Sequence, residues 1–223
     1  MRIIGRITGE GFTSIIKEAD ADRAGFKRVF YWADGDIDAD GANGQNGALP
    51  AYCADNKGSE ALANGGMAIR DGKVICAKSW ARDIVILGKD NQPKVFKQIG
   101  RFYFPKGVIA SRTWYRHPGM KVDDPAAYLD SETVPYIVVP PMIVQGVSGI
   151  VRGSKCRVTY GNKTVEGVVG DLGPRTKVGE ISIEMARQLG IRSNPRNGGI
   201  DTPDLYYEIW PGLAAEGYTL ERA

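Results

Sequence analysis

The sequence predicts a mainly β fold, in which short strands and turns form a barrel and the helices are few and short. The first observation is composition: 29 Gly and 12 Pro among 223 residues favour strands, turns and loops over helical bundles. The second is a succession of short apolar or alternating segments bounded by turn residues. The third is a pair of hairpin signals, Asp71-Gly72 and Gly161-Asn162, each between two strand-like segments.

The N-terminal half of the chain gives the weaker signals. Residues 12–19 are expected to form a short helix, and residues 35–66, which are rich in Asp, Asn, Gly and Ala, are expected to be loop. The strand candidates of this half are FKRVFYWAD (26–34), a hairpin over MAIRDGKVICAK (67–78), DIVILG (83–88) and parts of residues 95–114.

The C-terminal half is more regular. Asp171 falls at the end of one predicted strand, and Glu180 begins the next. Ser182 is a suitable N-cap for a helix over residues 183–189, and Gly190 stands at its C-terminal end. The strand candidates of this half are PYIVVPP (135–141), the hairpin of CRVTY (156–160) with KTVEGVVG (163–170), and YYEIWPG (206–212).

Charge and cysteine content exclude several functions. The net charge of +3 is mild, and no block of Lys and Arg is dense enough to predict binding to nucleic acid or to an anionic membrane. No apolar stretch approaches the length of a membrane span, and no signal peptide is recognisable in the first residues. One histidine and three cysteines without a C-x-x-C spacing do not predict a zinc site. The cysteines Cys53, Cys76 and Cys156 are expected to be small buried side chains, with a Cys53–Cys76 disulfide as the alternative.

Two carboxylates stand out in the segment VEGVVGDLGPRTKVGEISIEMARQLG (165–190). Asp171 and Glu180 flank a Gly-Pro turn, and two acids held apart on a rigid frame are what the cleavage of a glycosidic bond requires. The helix that follows Glu180 would lower the pKa of its carboxyl, whereas burial or a second carboxylate would raise it. Arg175 and Lys177, in the turn, could keep one acid ionised. The alternative is that Asp171 only forms a turn and that Glu180 is a charge before a helix.

A second acidic feature is the run WADGDIDADG (32–41). It carries Asp34, Asp36, Asp38 and Asp40 at every second position, so all four would share one face of an extended chain. Three interpretations are open. The run resembles the start of a calcium-binding EF-hand loop, although its twelfth position is Gly47 instead of Glu. It could also bind a cationic substrate, or form a solvated turn.

Taken together, these segments resemble the fungal-type chitosanases, glycoside hydrolase family 75. The segments that carry the resemblance are YWADGDIDADG (31–41), DPAAYLDSETVPYIVVPP (124–141), GDLGPRTKVGEISIEMARQLGI (170–191) and YYEIWPG (206–212). The resemblance implies an endo-acting, inverting hydrolase of the β-1,4 links between the glucosamine units of chitosan. It further implies a double-psi β-barrel-like core with an N-terminal extension, Asp171 as the general base and Glu180 as the general acid, and no metal or cofactor. We expect one domain over residues 1–223, in which residues 1–27 form an extension that builds a wall of the cleft. The protein is expected to be a monomer, and the family resemblance implies secretion.

Chitosan is a polycation, so the acidic run is a candidate site for binding it. Carboxylates along a cleft can pair with glucosamine ammonium groups, each exposed pair contributing about 0.2 to 1 kcal/mol. The predicted substrate-binding residues are Asp34, Asp36, Asp38, Asp40, Tyr31 and Arg175. Aromatic candidates for stacking on sugar rings are Tyr31, Trp32, Trp80, Tyr103, Trp114 and Tyr115, with core packing as the alternative role. The rival functions are a barrel-type enzyme that degrades peptidoglycan, and a non-catalytic carbohydrate-binding or calcium-stabilised module.

Overall fold

Strands dominate the computed structural model, which describes residues 1–9 and 11–221. The chain divides into two compact units, one of Met1–Asp38 with Val134–Ala223 and one of Ala39–Thr133. In chain order the strands and helices are β1 (Arg2–Gly9), β2 (Phe12–Ala19), β3 (Arg28–Asp38), β4 (Met67–Arg70), β5 (Lys73–Cys76), α1 (Ala81–Ile84), β6 (Val95–Ile99), β7 (Phe102–Ile109), a 3-10 turn (Pro125–Ala127), β8 (Tyr136–Val139), α2 (Pro141–Gly146), β9 (Ser154–Tyr160), β10 (Lys163–Leu172), β11 (Glu180–Ser182), α3 (Ile183–Leu189) and β12 (Ile200–Ala214).

Six strands of the first unit close into a barrel. Their neighbours run in the order β3, β11, β8, β10, β9 and β12, and β12 pairs again with β3. The closed barrel with few short helices confirms the predicted fold class, while its double-psi connectivity stays a prediction. Because closure removes the free edges of a sheet, each barrel strand is held by hydrogen bonds on both sides.

Tyrosines fill much of the barrel interior. Tyr31 of β3 and Tyr207 of β12 are register partners, and their rings stack with centroids 4.9 Å apart and planes 9° from parallel. Tyr31 is only 1% exposed, so its ring offers no face on which a sugar could stack. The prediction that Tyr31 binds substrate therefore needs correction: burial gives it a place in the core and raises the pKa of its phenol.

The N-terminal segment departs from the prediction. Residues 12–19 form strand β2 and not a helix, paired antiparallel with β1 and, through Lys17–Ala19, with β3. Burial along β2 follows a period of two, with Ser14, Ile16 and Glu18 buried. The adjacent Ile15 and Ile16 fit a helix as well as a strand when read alone, and the pairing with β1 and β3 decides between them.

Both predicted hairpins are confirmed, because β4 pairs with β5 across Asp71-Gly72 and β9 pairs with β10 across Gly161-Asn162. The strand predicted over residues 83–88 is wrong. Its first part belongs to α1, and Val85 and Leu87 make only isolated bridges.

The second unit consists of two hairpins, β4–β5 and β6–β7, with long connecting loops. The loop predicted over residues 35–66 is confirmed from Ala39 onward, since β3 continues to Asp38. One cluster of its core is formed by Ile86, Ala110, Ala127 and Tyr128, with Phe96 and Met120 packed against it. All three cysteines of the chain are free thiols. Within the described residues, every helix is too short or too polar to cross a lipid bilayer.

A buried ionic group ties β12 to both neighbouring strands. The side chain of Glu208 is 3% exposed, and its two carboxylate oxygens pair with Arg28 of β3 at 2.7 Å and with Arg157 of β9 at 2.6 Å. The side chains of Arg28 and Arg157 are 39% and 34% exposed, so removing the charge leaves two partly solvated guanidinium groups without their anionic partner.

We expect Glu208→Gln to lower the free energy of unfolding by about 1.5 to 3 kcal/mol, the usual contribution of a hydrogen bond to a charged group, because the arginines are partly solvated. Urea denaturation followed by circular dichroism measures this loss. The matched control is Glu166→Gln, because Glu166 pairs with Lys155 at 2.8 Å but its side chain is 59% exposed. The control should cost less than about 1 kcal/mol. Equal losses in the two variants would contradict a stabilising role for the buried pair.

Candidate active site

The barrel places Asp171 and Glu180 on the two sides of one residue. Val138 of β8 is the register partner of Asp171 in β10 and also of Glu180 in β11. Directly paired residues point to the same face of a sheet, so the two carboxyl side chains share that face. Two strand spacings separate their Cα atoms, which corresponds to roughly 9.5 Å.

Strand β3 extends this row of acids. Asp36 is the register partner of Glu180, and Asp38 lies one alternation further along β3. The Tyr136 hydroxyl donates a hydrogen bond to Asp38 Oδ2 at 3.1 Å, and a carboxylate oxygen of Asp38 lies within 4.8 Å of one of Asp171. The first unit therefore gathers four carboxyl groups on one face, as the spacing of Asp36 and Asp38 predicted for an extended chain.

The extended pairing also corrects the EF-hand interpretation. An EF-hand wraps its ligands around the ion in a twelve-residue loop. Here Asp36 and Asp38 lie instead in a strand that is hydrogen-bonded to β11. Their alternating spacing places them on one face of a β-strand. The similarity to a calcium-binding loop is therefore limited to the sequence.

The turn between β10 and β11 brings a cation to the acids. The Lys177 ammonium forms an ion pair with Asp36, and its Nζ lies 3.7 Å from Glu180 Oε1. The side chains of Lys177 and Asp36 are each 33% exposed. The sequence placed Lys177 near the acids, and the structure shows which acids it contacts.

Gly173 makes room for the Glu180 carboxylate. A Cβ atom at Gly173 would lie 2.9 Å from Glu180 Oε2 and 2.9 Å from Val138 Cγ1. The carboxylate of Glu180 thus reaches across Val138 toward the end of β10, where Asp171 lies. The absence of a side chain at position 173 is what leaves this space open.

The environment of Glu180 favours its protonated form. Burial raises its pKa most, and the negative charges of Asp38 and Asp36 raise it further, whereas the Lys177 ammonium lowers it. The result is a pKa of about 7, compared with an ordinary value of 4.5. The sequence left open whether the helix would lower this pKa or burial and a second carboxylate would raise it. In the structure, burial and the neighbouring carboxylates raise it. A carboxyl group with this pKa can donate a proton near neutrality.

Ser182 fixes the strand end beside Glu180. Its Oγ accepts hydrogen bonds from the backbone N–H of Met185 at 3.1 Å and of Tyr136 at 3.0 Å, and it donates to the carbonyl of Val134 at 2.8 Å. The hydroxyl thus caps α3 and joins β11 to the start of β8. The predicted N-cap is confirmed, as is Gly190 at the C-terminal end of the helix, where it has a left-handed conformation.

The other predicted site residues differ in exposure and in position. Asp34 is 1% exposed and packs against Gly179, where any Cβ would collide with Asp34 Oδ1. Asp34 is buried beside the cavity that it lines with Lys177, and its role in substrate binding stays a prediction. Asp40 is 8% exposed and belongs to the second unit. Arg175 is exposed and lines a shallow depression with Pro141 and neighbouring residues of α2.

The aromatic candidates separate by exposure. Trp32, Trp80 and Tyr103 are 53%, 46% and 67% exposed, whereas Tyr115 is buried. Trp32 lies on the same strand face as Asp36, four residues earlier in β3, and its ring is 5.0 Å from that of Tyr206. The sequence does not predict a role for Tyr136. A tyrosine that begins a buried apolar strand gives no local sign that its hydroxyl will contact Asp38.

The N-terminal hairpin reaches the turn that carries Lys177. A cavity of about 200 Å³ is lined by Ile7, Gly9, Phe12, Asp34, Thr176, Lys177 and Val178. Residues of β1 and β2 therefore face residues of the turn between β10 and β11 across this cavity.

Sequence comparison shows which protein family this chain matches. The family model described as the fungal chitosanase of glycosyl hydrolase group 75 matches residues 35–219, which include Asp36, Asp38, Asp171 and Glu180. The β1–β2 hairpin precedes the matched segment. No curated protein matches the chain.

Proposed function

Because the chain belongs to the fungal chitosanase family, group 75 of the glycosyl hydrolases, we propose that it is an endo-acting enzyme that cleaves the β-1,4 links between glucosamine units of chitosan with inversion. The observation that carries this proposal is the pairing of two unlike acids on one face of the barrel. Glu180 has a pKa of about 7, and Asp171 lies across Val138 from it.

The two acids have different roles in the proposed mechanism. Glu180 donates its proton to the glycosidic oxygen as the bond to the leaving sugar breaks. Asp171 takes a proton from a water molecule, whose oxygen attacks the anomeric carbon from the opposite face. At the end of the reaction Glu180 is ionised and Asp171 carries a proton, and exchange with solvent restores both groups.

The Cα spacing of the two acids is wide enough for inversion, which places the carboxyl groups farther apart than retention does. An inverting enzyme needs its carboxyl groups about 6.5 to 9.5 Å apart, because the attacking water lies between the base and the sugar. The Cα atoms of Asp171 and Glu180 are separated by two strand spacings, roughly 9.5 Å. The reach of Glu180 across Val138 brings its carboxyl group toward Asp171.

The remaining carboxylates fit the charge of the substrate. Asp36 and Asp38 lie beside Glu180 and have partly exposed side chains, so each can pair with a glucosamine ammonium. Since the net charge of the chain is +3, attraction of a cationic polymer must be local. These two residues are the proposed substrate-binding acids, because both are more exposed than Asp34.

The experiment that tests the function is proton NMR of the first products released from chitosan. We expect sugars with an α-configured reducing end to appear before mutarotation, and few products from chitin or peptidoglycan. A β-configured first product would overturn inversion. New reducing ends from peptidoglycan but not from chitosan would overturn the substrate, and binding without any new reducing ends would indicate a non-catalytic module.

A further inference from the structure

Lys177 brings a primary ammonium into the row of carboxylates. Its Nζ pairs with Asp36 and lies 3.7 Å from Glu180 Oε1. The residue lies in the turn between β10 and β11, three positions before Glu180, and is one-third exposed. An ammonium at this place reduces the repulsion between two neighbouring acids.

The same chemical group occurs on the proposed substrate. Every glucosamine unit of chitosan carries an amine that is protonated below its pKa, and this ammonium seeks the same kind of carboxylate partner. Because Asp36 already has a cation, a glucosamine unit can pair with it only by displacing that cation. The exposure of both side chains allows such an exchange without any movement of the barrel strands.

We propose that Lys177 occupies Asp36 as an internal substitute for a substrate ammonium, and that a glucosamine unit displaces it on binding. The inference rests on the proposed function. Lys177 is then a positioning residue with two effects: it weakens the binding of glucosamine at Asp36, and it favours the ionised form of Glu180 until it is displaced. An N-acetylglucosamine unit, which has no charge, leaves Lys177 in place.

The direction of the second effect follows from the charges that face Glu180. They are Asp36 and Asp38 from β3 and Lys177 from the turn. Burial and the two aspartates raise the pKa of Glu180, and Lys177 lowers it. Loss of the lysine charge removes the influence that opposes the other three in the free enzyme, so the alkaline limit of kcat/KM moves to higher pH.

The affinity test compares Lys177→Met with Lys177→Arg in a Glu180→Gln background, which prevents turnover. Isothermal titration with a glucosamine hexamer, at a pH below its amine pKa and at low salt, should show binding about two- to fivefold tighter for Lys177→Met. The Lys177→Arg change keeps the charge and should leave the affinity near that of the background. The fully acetylated hexamer should bind all three proteins equally. Adding Asp36→Asn should remove the difference in affinity between the Lys177→Met variant and its background.

The kinetic test uses Lys177→Met and Lys177→Arg with Glu180 intact. We expect the alkaline limb of the kcat/KM profile, which reports the free enzyme in which Lys177 still lies beside Glu180, to move to higher pH in Lys177→Met alone. The charge control is Lys163→Met, which changes the exposed first residue of β10, at the other end of that strand from Asp171, and it should leave the profile unchanged.

The outcomes separate this inference from the function on which it rests. If the unmodified protein neither binds nor cleaves glucosamine oligomers, the proposed function fails. If it does both, and Lys177→Met neither binds the hexamer more tightly nor shifts the alkaline limb, then only the role of Lys177 is overturned. Equal tightening for the acetylated hexamer would likewise overturn it, because that ligand has no ammonium to compete.

Discussion

Glu180→Gln is expected to lower kcat on chitosan by about three orders of magnitude, since general acid catalysis contributes roughly 10²- to 10⁴-fold. Glutamine keeps the shape of the side chain but has no acidic proton to give to the leaving oxygen. Reducing-end assays on chitosan measure the loss. In the unmodified protein, kcat should decline as the pH rises through about 7, where Glu180 loses its proton.

The control for this prediction is Glu184→Gln. Glu184 lies in the first turn of α3, close to Ser182, and pairs with Arg187 at 2.6 Å on the helix surface. We expect nearly full activity from this variant. Comparable losses in both variants would indicate that a negative charge near the helix, and not a proton on Glu180, is what activity requires.

The same substitution should change stability in a pH-dependent way. The pKa of Glu180 in the folded protein, about 7, exceeds its ordinary value of 4.5, so the folded state binds the proton more tightly than the unfolded state. The stability contributed by this group is complete below about pH 4.5 and is lost as the pH rises through about 7. Above that range Glu180→Gln should therefore raise the free energy of unfolding, by at most roughly 3 kcal/mol, as urea denaturation at several pH values would measure. Retained folding also shows that lost activity is chemical in origin.

Asp171→Asn is the second large effect that we expect, again a loss of about 10²- to 10⁴-fold in kcat. An amide cannot take a proton from the attacking water. The substitution should preserve the local backbone, because the N–H of Leu172 donates to Asp171 Oδ1 at 2.6 Å and the asparagine oxygen can accept the same bond. Azide, which needs no deprotonation, should restore part of the activity and yield an α-glycosyl azide.

The variant Asp38→Asn tests whether Asp171 or Asp38 is the general base. The Asp38 carboxylate has an oxygen within 4.8 Å of one of Asp171, so it is a nearby alternative acceptor of the proton in the first unit. We expect Asp38→Asn to weaken substrate binding and to retain far more kcat than Asp171→Asn. If Asp38→Asn lost more activity, and azide restored that variant instead, the role of base would belong to Asp38.

Local chemistry explains what the sequence could predict. Some signals act over only a few residues: turn dipeptides, the N-cap at Ser182 and the C-terminal glycine at Gly190. The sequence therefore predicts the hairpins, α3 and the strand positions of Asp171 and Glu180. For the same reason, the sequence predicts that Asp36 and Asp38 share one face of an extended strand.

Contacts between distant segments explain what it could not predict. The pairing of Asp36 with Glu180 joins strands that lie far apart in the chain, and it decides that Lys177 reaches both acids. The burial of Tyr31 depends on Tyr207, and that of Asp34 on Gly179. Likewise, the pKa of Glu180 depends on burial, which no spacing of residues reveals.

The shared partner Val138 has a consequence for altering the enzyme. Since main-chain hydrogen bonds from β8 to β10 and to β11 hold the two acids, the separation of their Cα atoms is set by peptide geometry and is independent of the side chain at position 138. That side chain lies between the two acids and is 5% exposed. Substitutions there can change the packing and polarity between the two carboxyl groups while the backbone spacing of acid and base is kept.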